Sequence, residues 1–533
     1  MTATGGYASW QRDFRWRVPR AFNIATAILE RQPRDRLALV DARDDAPTRE
    51  YGFGELDVLS NRLANILYDH DVVPEDRVAI LLPPRADVVV AHFAIAKIAA
   101  IAVPLYAGFG LEALRHRLKD AGVRLLVTDE EGAQRVAGLR EDLPALETVL
   151  DVDGAAFAKA MAEAEPWCAH EATSAEDPAL IIYTSGTAGT PKGVLHAQRV
   201  LLGHLPGVEM SHEGFPEPGD RFWTPADWAW IGGLLDVVLP SLYHGVPVVA
   251  GPGGGFDAER VMPFMAAHGI RNVFFPPTAL RRLQRAEPPP GEVQLRTIAT
   301  GGEPLGDDVA AWARATFGCA VNAFYGQTEA NLLVAGMASS FPRRPGTIGR
   351  AVPGHEVAIV DGEGHVMAFD EPGIIAVRRP DPVLFLGYWN NPAATQAKFR
   401  GDWMLTGDFG RMDADGDITC MGREDDLINS AGYRIGPAEV EAVLAEHPGV
   451  AQVAVVGVPD EARGEAVVAC VVPCAESGGS EELARELQRR ARDAIGAHAA
   501  PREVVFRDSL PLTATGKVLR RDLRAMLAVD RDA

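Results

Sequence analysis

One stretch decides the fold: Ile181-Ile182-Tyr183-Thr184-Ser185-Gly186-Thr187-Ala188-Gly189-Thr190-Pro191-Lys192-Gly193. The apolar run 179–182 leads into it and predicts a buried strand. A glycine-rich loop after a strand can present consecutive backbone N–H groups to an anion. Hydroxyl donors and a lysine add to that capacity. The stretch therefore predicts a polyphosphate-binding loop, with an ordinary surface turn as the alternative. It is not a Walker A loop, because no Gly-Lys-Ser/Thr opens a following helix. The predicted phosphate-binding residues are Thr184, Ser185, Gly186, Thr187, Gly189 and Lys192.

This stretch resembles the phosphate loop of the adenylate-forming superfamily, which comprises acyl-CoA synthetases, luciferases and peptide-synthetase adenylation domains. Further motifs of that superfamily follow in its order. They are Gly302-Glu303-Pro304, Tyr325-Gly326-Gln327-Thr328-Glu329, Thr406-Gly407-Asp408, Gly422-Arg423-Glu424-Asp425-Asp426 and Gly516-Lys517. The residues around these motifs are most similar to those of the medium-chain branch of acyl-CoA synthetases, and the next most similar are those of acetyl-CoA synthetases. The resemblance implies an ATP-dependent enzyme that joins a carboxylic acid to coenzyme A through an acyl-adenylate, with ATP, Mg²⁺ and coenzyme A as cofactors.

The bulk composition agrees with a cytoplasmic enzyme. A chain of 533 residues is too long for one core and suggests two or more domains. A net charge of −21 favours neither a nucleic acid nor an anionic membrane as partner. The five cysteines are scattered, which fits a reducing compartment. The most apolar long stretch, 88–106, contains His92, Lys97 and Pro104 and predicts a buried helix running into a strand rather than a membrane span.

The order of strand-like and helix-like segments predicts an α/β fold with two domains. Alternating short apolar runs and helical stretches on both sides of the phosphate loop predict two βαβ-type sheet subdomains. From about 345 to 419, short β-rich pieces between Gly, Pro, Asp and Asn turns predict a small β-barrel-like subdomain. These three parts would form a large N-terminal domain, residues 1–424. Residues 425–533 would form a small mobile α+β domain, with Asp425 matching the family's hinge.

The resemblance implies roles for the nucleotide-binding motifs. Gly302, Glu303 and Pro304 would line the adenine, and Gly326 and Gln327 belong to the same site. Tyr325 would stack on the base, although alone it could equally be a core aromatic residue. Thr328 would reach the α-phosphate, and Glu329 would bind Mg²⁺ through hard oxygens. Asp408 would accept both ribose hydroxyls, with Arg423 as a second contact.

The C-terminal motifs imply two alternating active sites. Lys517 would be the catalytic lysine that stabilises charge developing at the α-phosphate. Gly432 and Tyr433 would belong to the loop that admits coenzyme A, and Arg463 would contact its phosphates, a surface salt bridge being the alternative. Because Lys517 and the Gly432 loop cannot both occupy the centre, the small domain must rotate about Asp425 between steps.

The acyl pocket should set the identity of the acid. The stretch 222–233 resembles the pocket-lining segment of acetyl- and medium-chain synthetases, and places Trp230, Ile231 and Gly232 in the pocket. Acetate-specific members carry a tryptophan where this chain has Gly326, and larger side chains at the positions of Gly232 and Gly301. Three small residues imply a deep cavity, unless the glycines serve backbone geometry alone.

The predicted acid is therefore a medium-chain fatty acid, or a branched or aromatic one. One alternative is an acetyl- or propionyl-type synthetase. A further alternative is an adenylating enzyme that transfers the acyl group to a carrier protein. The last alternative is a binding protein that has the fold but no catalytic activity.

Overall fold

The computed structural model describes residues 7–184, 190–253, 256–286, 293–341, 343–423, 426–430, 433–460, 463–474, 478–512 and 518–532, with residues 433, 434, 531 and 532 described by their backbone alone. Within these ranges the strands are β1 Leu37–Asp41, β2 Arg49–Gly52, β3 Arg77–Leu81, β4 Ile101–Pro104, β5 Leu125–Thr128, β6 Thr148–Asp151, β7 Pro178–Thr184, β8 Lys192–Ala197, β9 Phe222–Trp223, β10 Val248–Ala250, β11 Asn272–Phe274, β12 Thr297–Thr300, β13 Ala320–Gln327, β14 Ala330–Ala335, β15 Arg350–Ala351, β16 Val357–Val360, β17 Gly373–Arg378, β18 Gly387–Tyr388, β19 Phe399–Arg400, β20 Trp403–Met412, β21 Ile418–Arg423, β22 Ile428–Ser430, β23 Tyr433–Ile435, β24 Val450–Asp460, β25 Gly464–Pro473 and β26 Glu503–Phe506.

The helices are α1 Tyr7–Asp13, α2 Ile24–Leu29, α3 Phe53–Asp69, α4 Ala86–Lys97, α5 Leu111–Ala121, α6 Glu130–Ala137, α7 Ala155–Glu163, α8 Val200–Ser211, α9 Ile231–Gly233, α10 Leu239–Tyr243, α11 Ala258–Ala267, α12 Pro277–Arg285, α13 Asp307–Phe317, α14 Pro392–Ala397, α15 Pro437–Ala445, α16 Glu481–Ala494 and α17 Arg520–Asp532. A 3₁₀ turn covers Arg140–Asp142, and a π-helical segment, Leu234–Val238, joins α9 to α10.

The first sheet contains the strand that precedes the phosphate loop. Its order among the described strands is β18-β8-β7-β4-β3-β5-β6. The strands from β7 to β6 run parallel, and β7 and β8 form an antiparallel pair. Buried strands of a parallel sheet read as continuous apolar runs, as β5 does with Leu-Leu-Val-Thr entirely inside. The predicted passage from a buried helix into a strand within 88–106 is confirmed by α4 and β4.

The second sheet carries the other nucleotide motifs at its strand ends. Its described order is β15-β14-β13-β12-β11-β9-β10-β1-β2. The central strands are parallel, and β12 and β13 end at the two predicted adenine motifs. Ligands of such sheets bind beyond the carboxyl ends of the strands, so the topology itself brings these motifs together.

A third, antiparallel sheet follows in the order β16-β17-β20-β19, with β21 paired to β20. It corresponds to the small β-rich subdomain predicted for this region. Its β20–β21 hairpin sets Asp408 opposite Arg423. The turn of that hairpin carries Asp413 and Asp415, which bind Arg344. Both carboxylates therefore belong to a solvent-accessible hairpin turn that Arg344 holds.

The C-terminal unit is an α+β sandwich. Its sheet has the order β23-β22-β25-β24, with β26 parallel to β25. Alternate residues of β24 point to opposite faces, so Val455 packs against α15 and α16 while Ala454 packs against α17. Asp426 Oδ1 accepts a hydrogen bond from Arg524 Nη2 of α17 at 3.0 Å, which ties residue 426 to this unit. The predicted hinge residue Asp425 lies outside the described residues, and the domain boundary stays a prediction.

Among the described residues, every helix is too short or too polar to cross a membrane.

Candidate active site

Asp408, in the middle of β20, is the centre of a hydrogen-bonded cluster with residues at the ends of β13 and β21. Its Oδ2 accepts from Tyr325 Oη at 2.6 Å and from Gln327 Nε2 at 3.3 Å. Its Oδ1 accepts from Arg423 Nη1 at 3.4 Å. A carboxylate offers about four lone-pair positions. The cluster thus joins four residues that the sequence assigns to the nucleotide site, and it leaves the carboxylate capacity to accept more.

Gly407 allows this arrangement. Its φ of +78° lies in the left-handed region, which glycine adopts without strain. A Cβ at this position would lie 3.0 Å from Arg423 Nη2 and would press on the guanidinium that holds Asp408. The backbone N–H of Asp408 donates to Thr406 Oγ1 at 3.0 Å, which completes the turn.

Tyr325 acts as a fixed donor in this cluster. Burial raises the pKa of its hydroxyl well above the ordinary value, and the neighbouring Asp408 carboxylate raises it further. The phenol therefore stays protonated and donates to Asp408 at any physiological pH. Its predicted stacking on adenine stays a prediction.

Lys398 belongs to the site but carried no recognisable sequence signal. Its Nζ donates to Gln327 Oε1 and to the Thr406 carbonyl, each at 3.0 Å. Burial lowers the pKa of this ammonium. Lys398 thus orients the amide of Gln327, whose Nε2 then points to Asp408. A single lysine between a short helix and a short strand follows no pattern that would have marked it.

Tyr388 was also missed, and it links the phosphate loop to the predicted metal ligand. It lies on β18, paired with β8, the strand that begins at Lys192. Lys192 Nζ lies 4.9 Å from the centre of the Tyr388 ring. The Tyr388 hydroxyl donates to Glu329 Oε1. Burial, followed by the Glu329 carboxylate, raises the pKa of this phenol, so it remains a donor.

Glu329 fits a magnesium ion of the kind that accompanies nucleotides. Its carboxylate is buried and bonded through Oε1 to Tyr388, which leaves Oε2 for a ligand. Within the described part of the chain, groups of three or more His, Cys, Asp or Glu side chains that could hold a metal are absent. Mg²⁺ is usually held by one or two carboxylates together with substrate phosphates and water. A single carboxylate that shares the contact residue Tyr388 with Lys192, the predicted phosphate-binding lysine, meets that need.

The phosphate loop itself is only partly described. Ser185, Gly186, Thr187 and Gly189 lie outside the described residues. Thr184 and Lys192 are paired in the β7–β8 register, so the chain enters and leaves the loop at one place. His116 Nε2–H donates to the carbonyl of Pro191 at 3.0 Å and anchors the exit.

The motif Gly302-Glu303-Pro304 follows β12. Glu303 accepts from Thr278 Oγ1 at 2.7 Å and from Arg281 Nη2 at 2.8 Å, so α12 orients its carboxylate. Gly302 has φ of +87° and open space where a Cβ would point. The motif's contact with adenine stays a prediction.

Two phenylalanines, absent from the predicted pocket, occupy the space beside its glycines. A Cβ on Gly232 would lie 2.9 Å from the Phe274 ring, and one on Gly301 would lie 2.6 Å from the Phe324 ring. The centres of these two rings are 5.2 Å apart. We call Gly232, Phe274, Phe324 and Gly301 the aromatic wall. Each glycine therefore leaves room for a phenylalanine ring that packs against it.

Trp230 and Ile231 lie next to Gly232 along the chain. The Trp230 ring contacts Phe109 at 5.7 Å and Tyr106 at 6.1 Å between ring centres. Ile231 is partly buried against the core around α3 and α4.

Gly326 does not face open space, contrary to the interpretation of this glycine as room for an acyl chain. A Cβ there would lie 2.5 Å from Asn331 Cα and from the Leu332 backbone nitrogen. The cause is an irregularity of the β13–β14 pair between Tyr325 and Gln327, where β14 comes close and Leu332 adopts φ of +52°. Backbone approach therefore accounts for this glycine, and its contact with an acyl chain stays a prediction.

Comparison with known proteins agrees with this architecture. A family model described as AMP-binding enzyme matches residues 26–389, and one described as AMP-binding enzyme C-terminal domain matches residues 439–517. The chain belongs to the AMP-binding enzyme family. It is 33% identical over 540 residues to the mitochondrial acyl-coenzyme A synthetase ACSM5 of Mus musculus, across 95% of this chain and 91% of that protein. It is 32% identical over 500 residues to the acetyl-coenzyme A synthetase of Bacillus subtilis (strain 168), across 91% and 86%.

Solved structures of this family superpose over almost the whole chain. The anthranilate CoA ligase AuaEII in complex with anthranoyl-AMP matches with a TM-score of 0.86 at 27% identity, covering 96% of this chain and 99% of that one. The Brucella canis acyl-CoA synthetase matches with a TM-score of 0.74 at 32% identity, covering 99% and 98%. The predicted membership of the adenylate-forming superfamily is confirmed. The chain is an AMP-forming acyl-CoA synthetase, an acid–thiol ligase that uses ATP, Mg²⁺ and coenzyme A.

Of the site residues predicted in the C-terminal unit, the structure describes mainly the neighbours. Lys517 and Gly432 lie outside the described residues, and Tyr433 is described by its backbone, which begins β23. On either side of Lys517, Leu512 and Val518 form an antiparallel bridge, and Leu519 N–H donates to the Pro511 carbonyl at 2.8 Å.

Arg463 follows β24. Its backbone N–H donates to Asp460 Oδ1 at 3.0 Å, which shapes the turn before β25. Its predicted contact with coenzyme A phosphates stays a prediction.

Proposed function

We propose that this AMP-forming synthetase acts on a carboxylic acid larger than acetate: a ring-bearing, branched or medium-chain acid. The aromatic wall is the observation that carries this proposal. Phe274 and Phe324 place two rings beside Gly232 and Gly301, the positions where short-acyl members of the family carry larger side chains.

The physical argument rests on contact area. Each methylene that finds an apolar wall contributes about 1–3 kcal/mol to discrimination. Acetate offers one methyl group and gains little from two phenyl rings. A ring or an extended chain gains dispersion contacts with both faces. The value of kcat/KM should therefore rise with acid size until the acid fills the pocket.

The catalytic sequence assigns a task to each part of the site. Asp408, with Tyr325 and Arg423, would hold the nucleoside, while Lys192 and the loop from Thr184 would hold the phosphates. Mg²⁺ at Glu329 would neutralise phosphate charge and align the triphosphate. Lys517 would stabilise the charge that develops as the carboxylate attacks the α-phosphorus and pyrophosphate leaves. Such chemistry depends on positioning and charge neutralisation.

The second half-reaction would need a domain rotation about Asp425. The thiol of coenzyme A, admitted at Gly432 and Tyr433, would attack the acyl carbonyl, and AMP would leave. Residues 426 onward would move with α17, since Asp426 is bonded to Arg524 of that helix. The boundary would then lie between 424 and 426, as the motif order predicts.

A second candidate is an acetyl- or propionyl-type synthetase. It is favoured by the similarity to acetyl-coenzyme A synthetases, including that of Bacillus subtilis (strain 168) at 32% identity. We also propose a cytoplasmic location, because all five cysteines are free thiols and two of them, Cys168 and Cys470, are buried.

One experiment separates these candidates. AMP release and CoA-thioester formation are measured across straight acids from acetate to dodecanoate, branched acids and benzoates, with free coenzyme A as the only thiol. We expect kcat/KM for the best acid to exceed that for acetate by about a hundredfold. Highest kcat/KM for acetate or propionate would instead establish the second candidate. Adenylation without thioester would point to a carrier protein as acceptor.

A further inference from the structure

A buried carboxyl group lies beside Gly232, a residue of the predicted acyl pocket, and outside the nucleotide site. Asp236 is 4% exposed and lies in the π-helical segment between α9 and α10. Such segments interrupt α-helices frequently at functional sites, because they redirect side chains. Its Oδ1 accepts a hydrogen bond from Asn331 Nδ2 at 2.7 Å. Asn331 is also 4% exposed, so the pair is enclosed.

Both remaining oxygens of this pair face glycines of the predicted acyl pocket. Asp236 Oδ2 lies 3.6 Å from the point where a Cβ on Gly232 would stand. Asn331 Oδ1 lies 2.5 Å from the corresponding point on Gly326. Among the described residues, neither oxygen accepts a hydrogen bond; the bond between the two side chains is the one that they make. Asp236 Oδ2 therefore lies beside the aromatic wall, whereas Asn331 Oδ1 packs against Gly326 on the side that β14 closes.

An ionised carboxylate at this position is costly without a partner. A buried carboxylate is normally paired with a cation or satisfied by several donors. Within the described part of the chain, ion pairs of Asp236 with lysine, arginine or histidine are absent. Burial raises the pKa of Asp236 well above its ordinary value, although the Asn331 hydrogen bond opposes that shift. Without a cation nearby, the neutral protonated form of Asp236 is therefore favoured, and a cation placed at Oδ2 would favour the carboxylate instead.

We propose that Asp236, held by Asn331, recognises an amino group carried by the acyl part of the acid. The inference rests on the proposed function, which places the acyl chain along Gly232. An amino group presents two or three N–H donors, one of which would bond to Asp236 Oδ2. An aliphatic ammonium would also supply the missing counter-charge. The acid would then be an amino-substituted carboxylic acid, with its apolar part on the aromatic wall.

The test compares acids that differ in one group. The panel pairs 3- and 4-aminobenzoate with the matching methylbenzoates and hydroxybenzoates, and ω-aminoalkanoates with alkanoates of equal length. The readout is kcat/KM for AMP release with coenzyme A. For at least one amino-substituted acid of the panel, we expect kcat/KM to exceed that of its methyl isostere by about tenfold or more. A buried polar group that becomes paired on binding has an effect of this size. Preference for hydroxyl or methyl partners throughout would overturn the proposal.

Two variants locate the effect. Asp236→Asn removes the charge at constant shape and should lower the amino-to-methyl ratio of kcat/KM by about tenfold. The matched control is Glu213→Gln, because Glu213 also accepts a hydrogen bond from an asparagine, Asn322 Nδ2, at 2.6 Å, yet it lies outside the predicted pocket. That ratio should be unchanged in the control. A proportional loss for all acids in Asp236→Asn would assign Asp236 a structural role only.

The panel of acids measured with the wild-type protein tests the proposal even if a variant does not fold. Use of acids larger than acetate without preference for amines would overturn this inference and leave the proposed function standing. A higher kcat/KM for acetate than for larger acids would overturn both this inference and the proposed function.

Discussion

The Tyr388 hydroxyl donates a hydrogen bond to the Glu329 carboxylate, and these residues are 59 positions apart in the chain. The same tyrosine ring lies 4.9 Å below Lys192 Nζ. One side chain therefore sets the relative position of the phosphate-loop lysine and the predicted Mg²⁺ ligand. The link exists because β18 adds to the edge of the first sheet beside β8.

Tyr388→Phe tests this link. The ring and its contact with Lys192 remain, but buried Glu329 loses a donor. We expect the half-saturating Mg²⁺ concentration to rise about tenfold, as for other partners that orient metal ligands. Stability should fall by about 1–3 kcal/mol, since a buried acceptor is left unpaired. The matched control is Tyr68→Phe, which removes a similar hydrogen bond to Glu171 at 3.2 Å on an exposed surface. An unchanged Mg²⁺ requirement in Tyr388→Phe would mean that Glu329 does not hold the ion.

Lys517→Ala should abolish the first half-reaction alone. Loss of a charge that acts in the transition state costs about 3 kcal/mol or more. The acid-dependent exchange of pyrophosphate into ATP should fall by at least about a hundredfold. Thioester formation from supplied acyl-AMP should continue. Lys159→Ala, on exposed α7, is the control. If both half-reactions decline together in a folded protein, Lys517 does not have the assigned role.

Asp425→Pro should uncouple the two steps. Proline fixes φ and removes an N–H, so the hinge loses freedom. Adenylation should persist if the first conformation is the one frozen, and transfer to coenzyme A should collapse. Asp425→Ala keeps the rotational freedom and serves as control. Normal thioester turnover in the proline variant would place the hinge at another residue.

Gly326→Ala and Gly301→Ala should separate backbone packing from pocket size. At Gly326 the new methyl group meets the β14 backbone at 2.5 Å, whereas at Gly301 it meets the Phe324 ring at 2.6 Å. Backbone yields less readily than a ring, so Gly326→Ala should lose more stability, about 1–3 kcal/mol. Gly301→Ala should push Phe324 toward the acyl chain and shift kcat/KM toward shorter acids. Thermal melts and a chain-length profile check both variants. An unaltered profile in Gly301→Ala would show that the acyl chain does not touch Phe324.

His92 should make the enzyme sensitive to acid. Burial on α4 lowers the pKa of its imidazole from 6.5 to about 4, and its Nε2 has no partner among the described residues. The unfolded chain binds this proton below pH 6.5, but the folded chain does so only near pH 4. Stability is therefore lost as pH falls through that window. At about pH 5 the loss is about 2 kcal/mol.

His92→Leu should recover that amount at about pH 5 relative to its effect at about pH 8. The measurement is the free energy of unfolding at both pH values. His70→Leu, at an exposed position after α3, is the control for removing a histidine that is not buried. Equal effects of His92→Leu at the two pH values would show that His92 binds its proton alike in both states.

Much of the fold was predictable because its signals are local. The buried runs of β3 and β5, the helix α4 and the amphipathic α16 follow from hydrophobic periodicity within one element. The antiparallel region around β16 to β21 followed from turn residues between short apolar pieces. The nucleotide motifs were recognised because glycine, hydroxyl and carboxylate groups occur there at fixed spacing along the chain.

The missed residues depend on contacts between distant segments. Lys398 and Gln327 are 71 positions apart, and Asn331 and Asp236 are 95 apart. Neither pair has a local signature, because each side chain is ordinary within its own element. Only strand pairing and helix packing bring the partners within hydrogen-bond distance.

The sequence by itself determined the family, the order of the subdomains and the residue types that handle ATP, since these depend on local backbone geometry and chemistry. The tertiary structure decided what surrounds them. It filled the space beside Gly232 and Gly301 with phenylalanine rings, and it closed the space beside Gly326 with the backbone of β14. A glycine marks where a side chain is missing, but what takes that place depends on neighbours distant in the chain, and only packing sets them.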